Sequence, residues 1–332
     1  MCPLWILFIL IIKPSTAGLN LTGLHKMVVN GVEVIIEQYP YLAQVVIDQT
    51  ISCGGAIISH RVIATAGHCV YDIDQETMTS AIDMDVYLGS SYTMQGTHYD
   101  VCKVLKHPKY GNAKQYYYYD IALLLLSKAI KLSRKVQIAT IAPNHKWRNV
   151  KHTMNIAGFG YIYNTEDLPN QMYATRMHYV DAKICSISQT GEGDYMPVPE
   201  HMFCMIGSTF TSDCFGDSGS PITWRMYIVG LVSHGRDNSC GSEAMPSLYT
   251  DLTYFKSWIM EKVKQLESTP KAICDEEKRQ KQIKEKQRRE KEKENKRKQS
   301  TAKLMKLIPI IKNTNTSQIF SEAWPIFRPP FS

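Results

Sequence analysis

Between about residue 28 and residue 266, short runs of Val, Ile and Leu alternate with Gly, Asn, Asp and Pro. The clearest runs are Leu42 to Ile47, Ala56 to Ile63, Val101 to Leu105, Ile121 to Leu126 and Ile228 to Val232. Many short strands with frequent turn signals predict a barrel or a sandwich. At the end of the region, Phe255, Ile259, Val263 and Leu266 recur at helical spacing, which predicts a helix over Tyr254 to Leu266. The contents of 44% hydrophobic and 21% charged residues are those of a globular protein.

The N-terminus carries an apolar run from Pro3 to Ile12, followed by the small residues Ser15, Thr16 and Ala17. The run is too short for a membrane helix, and a small-residue site after it is typical of a secretory signal peptide. The alternative is a buried core helix. We expect residues 1–17 to be removed and the mature chain to be secreted, monomeric and without a membrane span.

The cysteine count supports secretion. The chain has nine cysteines, and removal of the signal peptide takes Cys2 with it. Full pairing into disulfides needs an even number, and disulfides persist in oxidising compartments. The eight that remain are Cys53, Cys69, Cys102, Cys185, Cys204, Cys214, Cys240 and Cys274.

The composition changes after Thr269 and Pro270. Residues 271–306 hold 15 Lys+Arg against 7 Asp+Glu, a net charge of +8, whereas the whole chain has +7, so the rest sums to −1. The stretch from Asp275 to Lys298 has one aliphatic residue, Ile283, and therefore no apolar face to pack against a core. It is either a solvated helix with i,i+4 ion pairs or disordered. Two functions stay open: binding to an anionic surface through residues 271–306, or a solvated spacer.

The strongest chemical signal is Ser218, which lies between Gly216-Asp217 and Gly219-Ser220-Pro221. A serine hydroxyl is a poor nucleophile unless an adjacent base takes its proton, and the attacked carbonyl oxygen needs donors for its negative charge. Glycines on both sides allow a sharp backbone turn. We expect the backbone N–H groups of Gly216 and Ser218 to be the oxyanion donors. The alternative is a Gly/Ser turn without chemistry.

Two further motifs supply the base and the group that orients it. His68 stands in Ala66-Gly67-His68-Cys69, and an imidazole can take the serine proton and return it to the leaving group. Asp120 precedes the apolar run from Ile121, so its carboxylate is expected to be buried and to need a partner. The ring N–H of His68 would satisfy it. A lone Asp here would otherwise be a turn residue.

These motifs resemble the chymotrypsin/trypsin family of serine peptidases, whose catalytic residues follow the order His68, Asp120, Ser218. The resemblance extends over about residues 28–266. It rests as well on the segments Val28-Val29-Asn30-Gly31, Cys53-Gly54-Gly55-Ala56, Ala157-Gly158-Phe159-Gly160, Ser233-His234-Gly235 and Pro246-Ser247-Leu248-Tyr249.

The resemblance implies an all-β fold of two packed six-stranded antiparallel β-barrels with a C-terminal helix, to which the charged C-terminal tail is added. We divide the chain into a signal peptide (1–17), a propeptide (18–27), a peptidase domain (28–266) and the tail (267–332). The resemblance also implies protein or peptide substrates and an activating protease, and it implies neither a cofactor nor a metal.

The family pattern implies three disulfides: Cys53–Cys69, Cys185–Cys204 and Cys214–Cys240. Cys102 and Cys274 are then left over. We suggest that they pair with each other and attach the start of the tail to the first barrel. The alternative is that one or both are free or form intermolecular bridges.

Activation in this family inserts a new N-terminal amine beside the Asp that precedes the nucleophile. Here the inserting residue would be Val28 and its partner Asp217. The sequence departs from the family before the cut, because Met27 stands where a basic residue is usual and Lys26 comes one position earlier.

The specificity pocket also departs from the family. Ser212 falls at the pocket floor, Asp213 on the adjoining wall, Gly235 at an open mouth, and Ser247 replaces a glycine and narrows the interior. A carboxylate in a pocket favours a cation, so the sequence favours Lys or Arg before the scissile bond; a preference for large apolar residues is the alternative.

Ser233 is in its family position and is expected to hydrogen-bond Asp120, whereas His234 replaces a tryptophan that helps to hold the substrate backbone. The intact catalytic residues predict an active peptidase. The departures at Met27, His234 and Ser247 leave an inactive homologue that binds partners as the alternative.

Overall fold

The computed structural model describes residues 31–112, 118–160, 170–188, 197–207, 212–214, 216–235 and 246–313. The strands, numbered β1 to β16 in chain order, are Val32–Glu33, Leu42–Ile47, Thr50–Ile57, Val62–Thr65, Tyr71–Asp72, Thr77–Met78, Met84–Leu88, Thr97–Lys106, Ala122–Leu126, Thr140–Ile141, Thr153–Gly158, Tyr173–Val180, Met202–Gly207, Pro221–Trp224, Tyr227–His234 and Ser247–Asp251. The α-helices are α1 (Ala182–Ser188), α2 (Leu252–Glu267) and α3 (Lys271–Asn313). Short 3-10 helices span Ile36–Gln38, Ala81–Asp83 and His145–Trp147.

Six antiparallel strands close the first barrel in the order β2, β3, β4, β9, β8, β7. Ladders β2–β3 and β2–β7 join its two ends, for example through the pairs Ala43–Gly55 and Ala43–Leu88. Its interior is filled by aliphatic side chains from alternating strand positions, among them Val45, Ile63 and Leu124.

One predicted run is not a single strand. The run from Ala56 to Ile63 contains the end of β3, a turn, and the start of β4. The Ser59 hydroxyl accepts the N–H groups of Arg61 and Val62 at 3.2 and 3.1 Å, so a local side-chain hydrogen bond turns the chain inside an apolar stretch.

The second barrel consists of β12, β11, β14, β15, β16 and β13, and β13 pairs back onto β12. The two closed six-stranded barrels confirm the predicted fold class. β1 is added to β12, and β10 pairs in parallel with β15. Trp147, Phe203 and Tyr249 are the large side chains of the core, and each is at most 2% exposed.

Two apolar contacts hold the barrels and the C-terminal helix together. Leu42 and Val46 of the first barrel pack against Ala157 and Phe159 of the second. Helix α2 begins after Asp251, whose carboxylate accepts the Tyr254 N–H at 3.0 Å as an N-cap. Its apolar stripe, which includes the predicted Phe255, Ile259, Val263 and Leu266, is buried against strands of both barrels.

The tail begins as the long helix α3, and its first turns lie on the first barrel. Cys274 forms a disulfide with Cys102 of β8, with the two Cα atoms 4.8 Å apart. Lys281 is only 8% exposed. From the absence of an apolar face we predicted that this segment does not pack against a core. The start of the helix instead docks on the barrel through a disulfide bond and a buried ammonium group.

Candidate active site

Asp120 and His68 are joined at the edge of the first barrel. Asp120 lies two residues before β9, and His68 follows β4, the strand that pairs with β9. The Asp120 Oδ2 atom is 2.8 Å from His68 Nδ1, and Oδ1 accepts the His68 backbone N–H at 2.8 Å. A carboxylate at Nδ1 favours the tautomer with its proton there, which leaves Nε2 as the basic nitrogen.

The two side chains differ in their exposure to solvent. The Asp120 side chain is 1% exposed and the His68 side chain 36% exposed, so the imidazole is open to an incoming group while the carboxylate is sealed. Burial raises the pKa of Asp120, but the charge and hydrogen bonds of His68 and the Ser233 hydroxyl outweigh it and lower this pKa. Burial lowers the pKa of His68, but the Asp120 charge and hydrogen bond outweigh it and raise this pKa.

Residues of the second barrel hold Asp120 from the other side. The Ser233 hydroxyl, on β15, donates to Asp120 Oδ2 at 2.6 Å. The Thr250 hydroxyl, on β16, donates to the Asp120 backbone carbonyl at 2.7 Å. The carboxylate therefore lies where the two barrels meet, and its position depends on both.

Tyr119 next to this carboxylate has a left-handed backbone, with φ of 60°. Its ring is stacked between two imidazoles, with ring centroids 5.1 Å from His107 and 4.1 Å from His201. Burial, together with nearby positive charge, lowers the pKa of both imidazoles to about 4. The stack offsets the cost of a left-handed aromatic residue and fixes the chain just before Asp120.

Sequence reasoning missed this stack. The only signal for it was the position of Tyr119 immediately before the predicted Asp120. Its two partners are 12 positions earlier and 82 positions later, and neither separation matches a local pattern.

Ser218 lies on a tight turn before β14. Gly216 and Gly219 have φ of 92° and 77°, a region that other residues rarely adopt. A Cβ on Gly219 would also come within 2.6 Å of the Gly54 carbonyl oxygen. The Gly54 N–H donates to the Ser218 carbonyl at 2.7 Å, and that carbonyl oxygen is 3.8 Å from the Cys69 Sγ. The turn that bears Ser218 is thereby placed beside the segment that bears His68.

The disulfides Cys53–Cys69 and Cys185–Cys204 are present. Cys214 is disulfide-bonded, and its expected partner Cys240 lies outside the described residues.

Asp217 is fully buried behind the turn. Its carboxylate accepts the Gly160 N–H at 2.9 Å and the Cys214 N–H at 3.1 Å. Burial raises its pKa to about 7 despite these hydrogen bonds, and within the described part of the chain it has no ion pair. Its expected partner Val28 lies outside the described residues.

Two of the expected pocket residues, Asp213 and Ser247, meet at Tyr249. Asp213 accepts the Tyr249 hydroxyl at 2.6 Å, and the Ser247 side chain also hydrogen-bonds Tyr249. Burial raises the pKa of Asp213. Ser212 lies beside it and is partly buried. A Cβ on Gly235 would meet no atom of the described residues within 4 Å.

His234 lies near the site on β15. Burial lowers its pKa, and the positive charge of His68 lowers it further, against a smaller opposite effect of Asp120. The imidazole at this position is thus electrostatically coupled to the one expected to act as base.

Away from this site, Asp85, His98 and Asp100 place ligand atoms within 4.8 Å of one another, a spacing compatible with a metal ion. The Lys281 Nζ atom, however, lies 2.5 Å from Asp85 Oδ1 and 3.5 Å from Asp100 Oδ1. The ammonium group therefore neutralises these carboxylates. Among the described residues, no helix is both long and apolar enough to span a membrane.

Two closed β-barrels with a buried carboxylate and an exposed imidazole at their junction define a class of two-barrel hydrolases. Comparison with known proteins narrows the class. The family model Trypsin matches residues 28–259, and the chain therefore belongs to the trypsin family of serine proteases.

Individual relatives agree with this assignment. Hypodermin-B from Hypoderma lineatum is 30% identical over 249 residues, which are 74% of this chain and 91% of that protein. Trypsin iota from Drosophila melanogaster is 26% identical over 257 residues, which are 76% of this chain and 93% of that protein. The structure of neuropsin, a serine protease expressed in the limbic system of mouse brain, matches with a TM-score of 0.61 and 24% identity over 70% of this chain and 98% of that chain, which shows the shared fold.

Proposed function

We propose that this chain is a secreted serine endopeptidase in which Ser218 is the nucleophile, His68 the general base and Asp120 the residue that orients the base. The observation that carries the proposal is the Asp120 carboxylate, which is held by both barrels and placed 2.8 Å from His68 Nδ1. Three disulfides between described cysteines support export to an oxidising compartment.

The reaction follows from these groups. The Ser218 Oγ attacks the scissile carbonyl carbon while His68 Nε2 takes the hydroxyl proton. The buried Asp120 carboxylate stabilises the resulting imidazolium, and the N–H groups of Gly216 and Ser218 stabilise the oxyanion. The tetrahedral intermediate collapses as His68 returns the proton to the leaving amine. Water then hydrolyses the acyl-enzyme by the same steps in reverse.

A fluorophosphonate probe tests this proposal, because it forms a covalent bond only with an activated serine. The secreted, proteolytically processed chain should be labelled, and Ser218→Ala should abolish labelling. Ser220→Ala is the matched control, since the buried Ser220 hydroxyl has no hydrogen-bond partner among the described residues. A folded and processed protein that resists the probe would instead support an inactive homologue that binds partners.

The activation step is part of the proposal. The charged form of Asp217 is disfavoured by burial, and a new N-terminal ammonium group on Val28 would compensate for it. The signal peptide (1–17) and propeptide (18–27) would then be removed in turn from the peptidase domain (28–266). N-terminal sequencing of labelled protein tests this: a mature chain that still begins at Gly18 would contradict the step.

The pocket supports a preference for Lys or Arg before the scissile bond. The partly buried Asp213 carboxylate accepts the Tyr249 hydroxyl, and a substrate cation would offset the cost of desolvating its charge. Peptides that differ only at this residue test the preference. Asp213→Asn should lower kcat/KM for Arg peptides more than for Phe peptides, whereas faster cleavage after Phe or Tyr by the unmodified protein would overturn it.

A further inference from the structure

The base of α3 is fixed to the first barrel at three points. The Cys102–Cys274 disulfide forms the first. At the second, Lys281 Nζ donates to the Met84 carbonyl at 3.0 Å and pairs with Asp85. At the third, Lys284 pairs with Asp83. These contacts use one side of the helix and set its direction relative to the catalytic domain.

Beyond this base the helix is exposed. Every residue from 282 to 302 is exposed to solvent. Because successive residues of an α-helix are about 100° apart, a subset of its basic side chains falls within an arc of about 100°. Between positions 279 and 297, the members of this basic stripe are Arg279, Lys286, Arg289, Lys293, Lys296 and Arg297.

The arc contains no acidic residue between positions 279 and 297. Glu285 and Glu290 lie just outside its two edges, and Gln282 is the polar residue that continues the stripe. The centre of the arc lies about 120° round the helix from the mean direction of the three docked side chains, so the stripe is turned away from the docked side.

Most of the stripe has no ion-pair partner among the residues that the structure describes. Arg279 pairs with Glu276, and Arg289 lies 4.0 Å from Glu285. Within the described part of the chain, the other four members make no ion pair; they are Lys286, Lys293, Lys296 and Arg297. By contrast, Arg288 and Lys298 on the opposite side pair with Glu292 and Glu294. Intrahelical pairing thus leaves the positive charge concentrated on one side.

We propose that the basic stripe binds a linear sulfated polysaccharide. The stripe runs about 27 Å along a straight helix, a shape that suits an extended chain of regularly spaced anions. Lys and Arg bind such groups through charge-assisted hydrogen bonds.

Two other polyanions fit less well. Ile283 is the sole aliphatic residue from Asp275 to Lys298, so the part of the helix that bears the stripe has no apolar face to insert into an anionic membrane. The disulfides place the chain in an oxidising compartment, where extracellular polysaccharides are present and nucleic acids are not resident. The proposal goes beyond peptide hydrolysis and does not depend on it, but the choice of partner rests on the proposed export of the chain.

Two matched triple variants of the full chain, each also carrying Ser218→Ala to remove activity, test the proposal. The stripe variant is Lys286→Gln/Lys293→Gln/Arg297→Gln. The control variant is Arg288→Gln/Lys291→Gln/Lys298→Gln, which removes the same charge from the other side. Glutamine has a helix propensity close to that of Lys and Arg, so circular dichroism should show equal helix content.

The probe is a size-defined heparin oligosaccharide, and binding is measured by calorimetry at 150 mM NaCl. The stripe variant should raise the Kd at least about tenfold, and the control variant by less than about threefold. An equal loss of affinity in both variants would overturn the assignment of binding to the basic stripe. Tighter binding to phosphatidylserine vesicles or to a DNA oligonucleotide than to the oligosaccharide would overturn the choice of partner.

Discussion

Replacement of Lys281 by Met is expected to destabilise the protein by about 2–3 kcal/mol. Methionine keeps an unbranched apolar stem of similar length and removes the ammonium group. The Lys281 Nζ lies 3.0 Å from the Met84 carbonyl, 2.5 Å from Asp85 Oδ1 and 3.5 Å from Asp100 Oδ1. Without it, all three acceptors lose a charged donor, and among the described residues the Asp85 carboxylate keeps only its hydrogen bond with His98.

The magnitude depends on how much water can replace the ammonium. Loss of one partner of a fully buried ion pair costs about 3–5 kcal/mol, and hydrogen bonds to charged groups contribute about 1.5–3 kcal/mol. The Lys281 side chain is 11% exposed, and those of Asp85 and Asp100 are 18% and 21% exposed, so partial rehydration lowers the cost below the buried limit.

The assay is thermal and urea unfolding beside the matched variant Lys284→Met. The Lys284 side chain is 53% exposed in its pair with Asp83, so this loss should stay below about 1 kcal/mol. The melting temperature should fall by about 5–10 °C for Lys281→Met. Hydrogen exchange should rise over residues 271–284 in the same variant.

The pH dependence provides a second check. Burial raises the pKa of Asp85, but hydrogen bonds from His98 and Lys281 outweigh it and lower this pKa. A carboxylate whose pKa is lower in the folded than in the unfolded state stabilises the folded protein when the pH is above its unfolded pKa. This stabilisation is lost as the pH falls through its folded pKa. The difference in the free energy of unfolding between the unmodified protein and Lys281→Met should therefore be largest at pH 7 and become smaller below pH 4. Equal losses for the two lysine variants would refute the reasoning.

Three further outcomes follow from the same contacts. The acid limb of the kcat/KM profile should be centred above pH 6.5, because His68 must be neutral to act as base. The charge and hydrogen bond of Asp120 raise the pKa of His68 by more than burial lowers it. A limb centred below pH 6.5 would contradict this. Burial lowers the pKa of His201 to about 4, so the unfolded chain binds this proton first and acid destabilises the fold by about 3 kcal/mol between pH 6.5 and pH 4. His201→Phe should remove this loss, measured by urea unfolding at both pH values. If the variant loses as much stability between the two pH values as the unmodified protein, the buried imidazole is not the cause. Cys102→Ala/Cys274→Ala removes a disulfide between residues 172 positions apart, and chain entropy predicts that the free energy of unfolding falls by about 5 kcal/mol. A fall of less than about 1 kcal/mol in urea unfolding would contradict a stabilising role for this disulfide.

Local sequence patterns predicted much of the fold. Alternating apolar runs predicted the strands, and the stripe that ends at Leu266 predicted α2, which the structure places at Leu252–Glu267. The run from Ala56 to Ile63 was less informative, because a hydrogen-bonded turn at Ser59 lies inside an apolar stretch that composition alone cannot divide.

The tail shows the limit of such patterns. The absence of an apolar face correctly described its surface, yet it did not foresee docking through Lys281. The acceptors of that ammonium lie on β7 and β8, more than 180 positions earlier, and only the closed barrel brings them together.

By itself, the sequence identified the candidate catalytic side chains, since a nucleophile motif, a histidine beside a cysteine and an aspartate before an apolar strand are each short local patterns. The family resemblance pointed to Ser233 beside Asp120, but the tertiary structure alone decided the rest of its surroundings: Thr250 reaches it from 130 positions away, and His107 and His201 stack on the neighbouring ring. The physical reason is that a buried carboxylate is stabilised by whichever donors the packed barrels place around it, and that placement results from the whole fold rather than from any one segment.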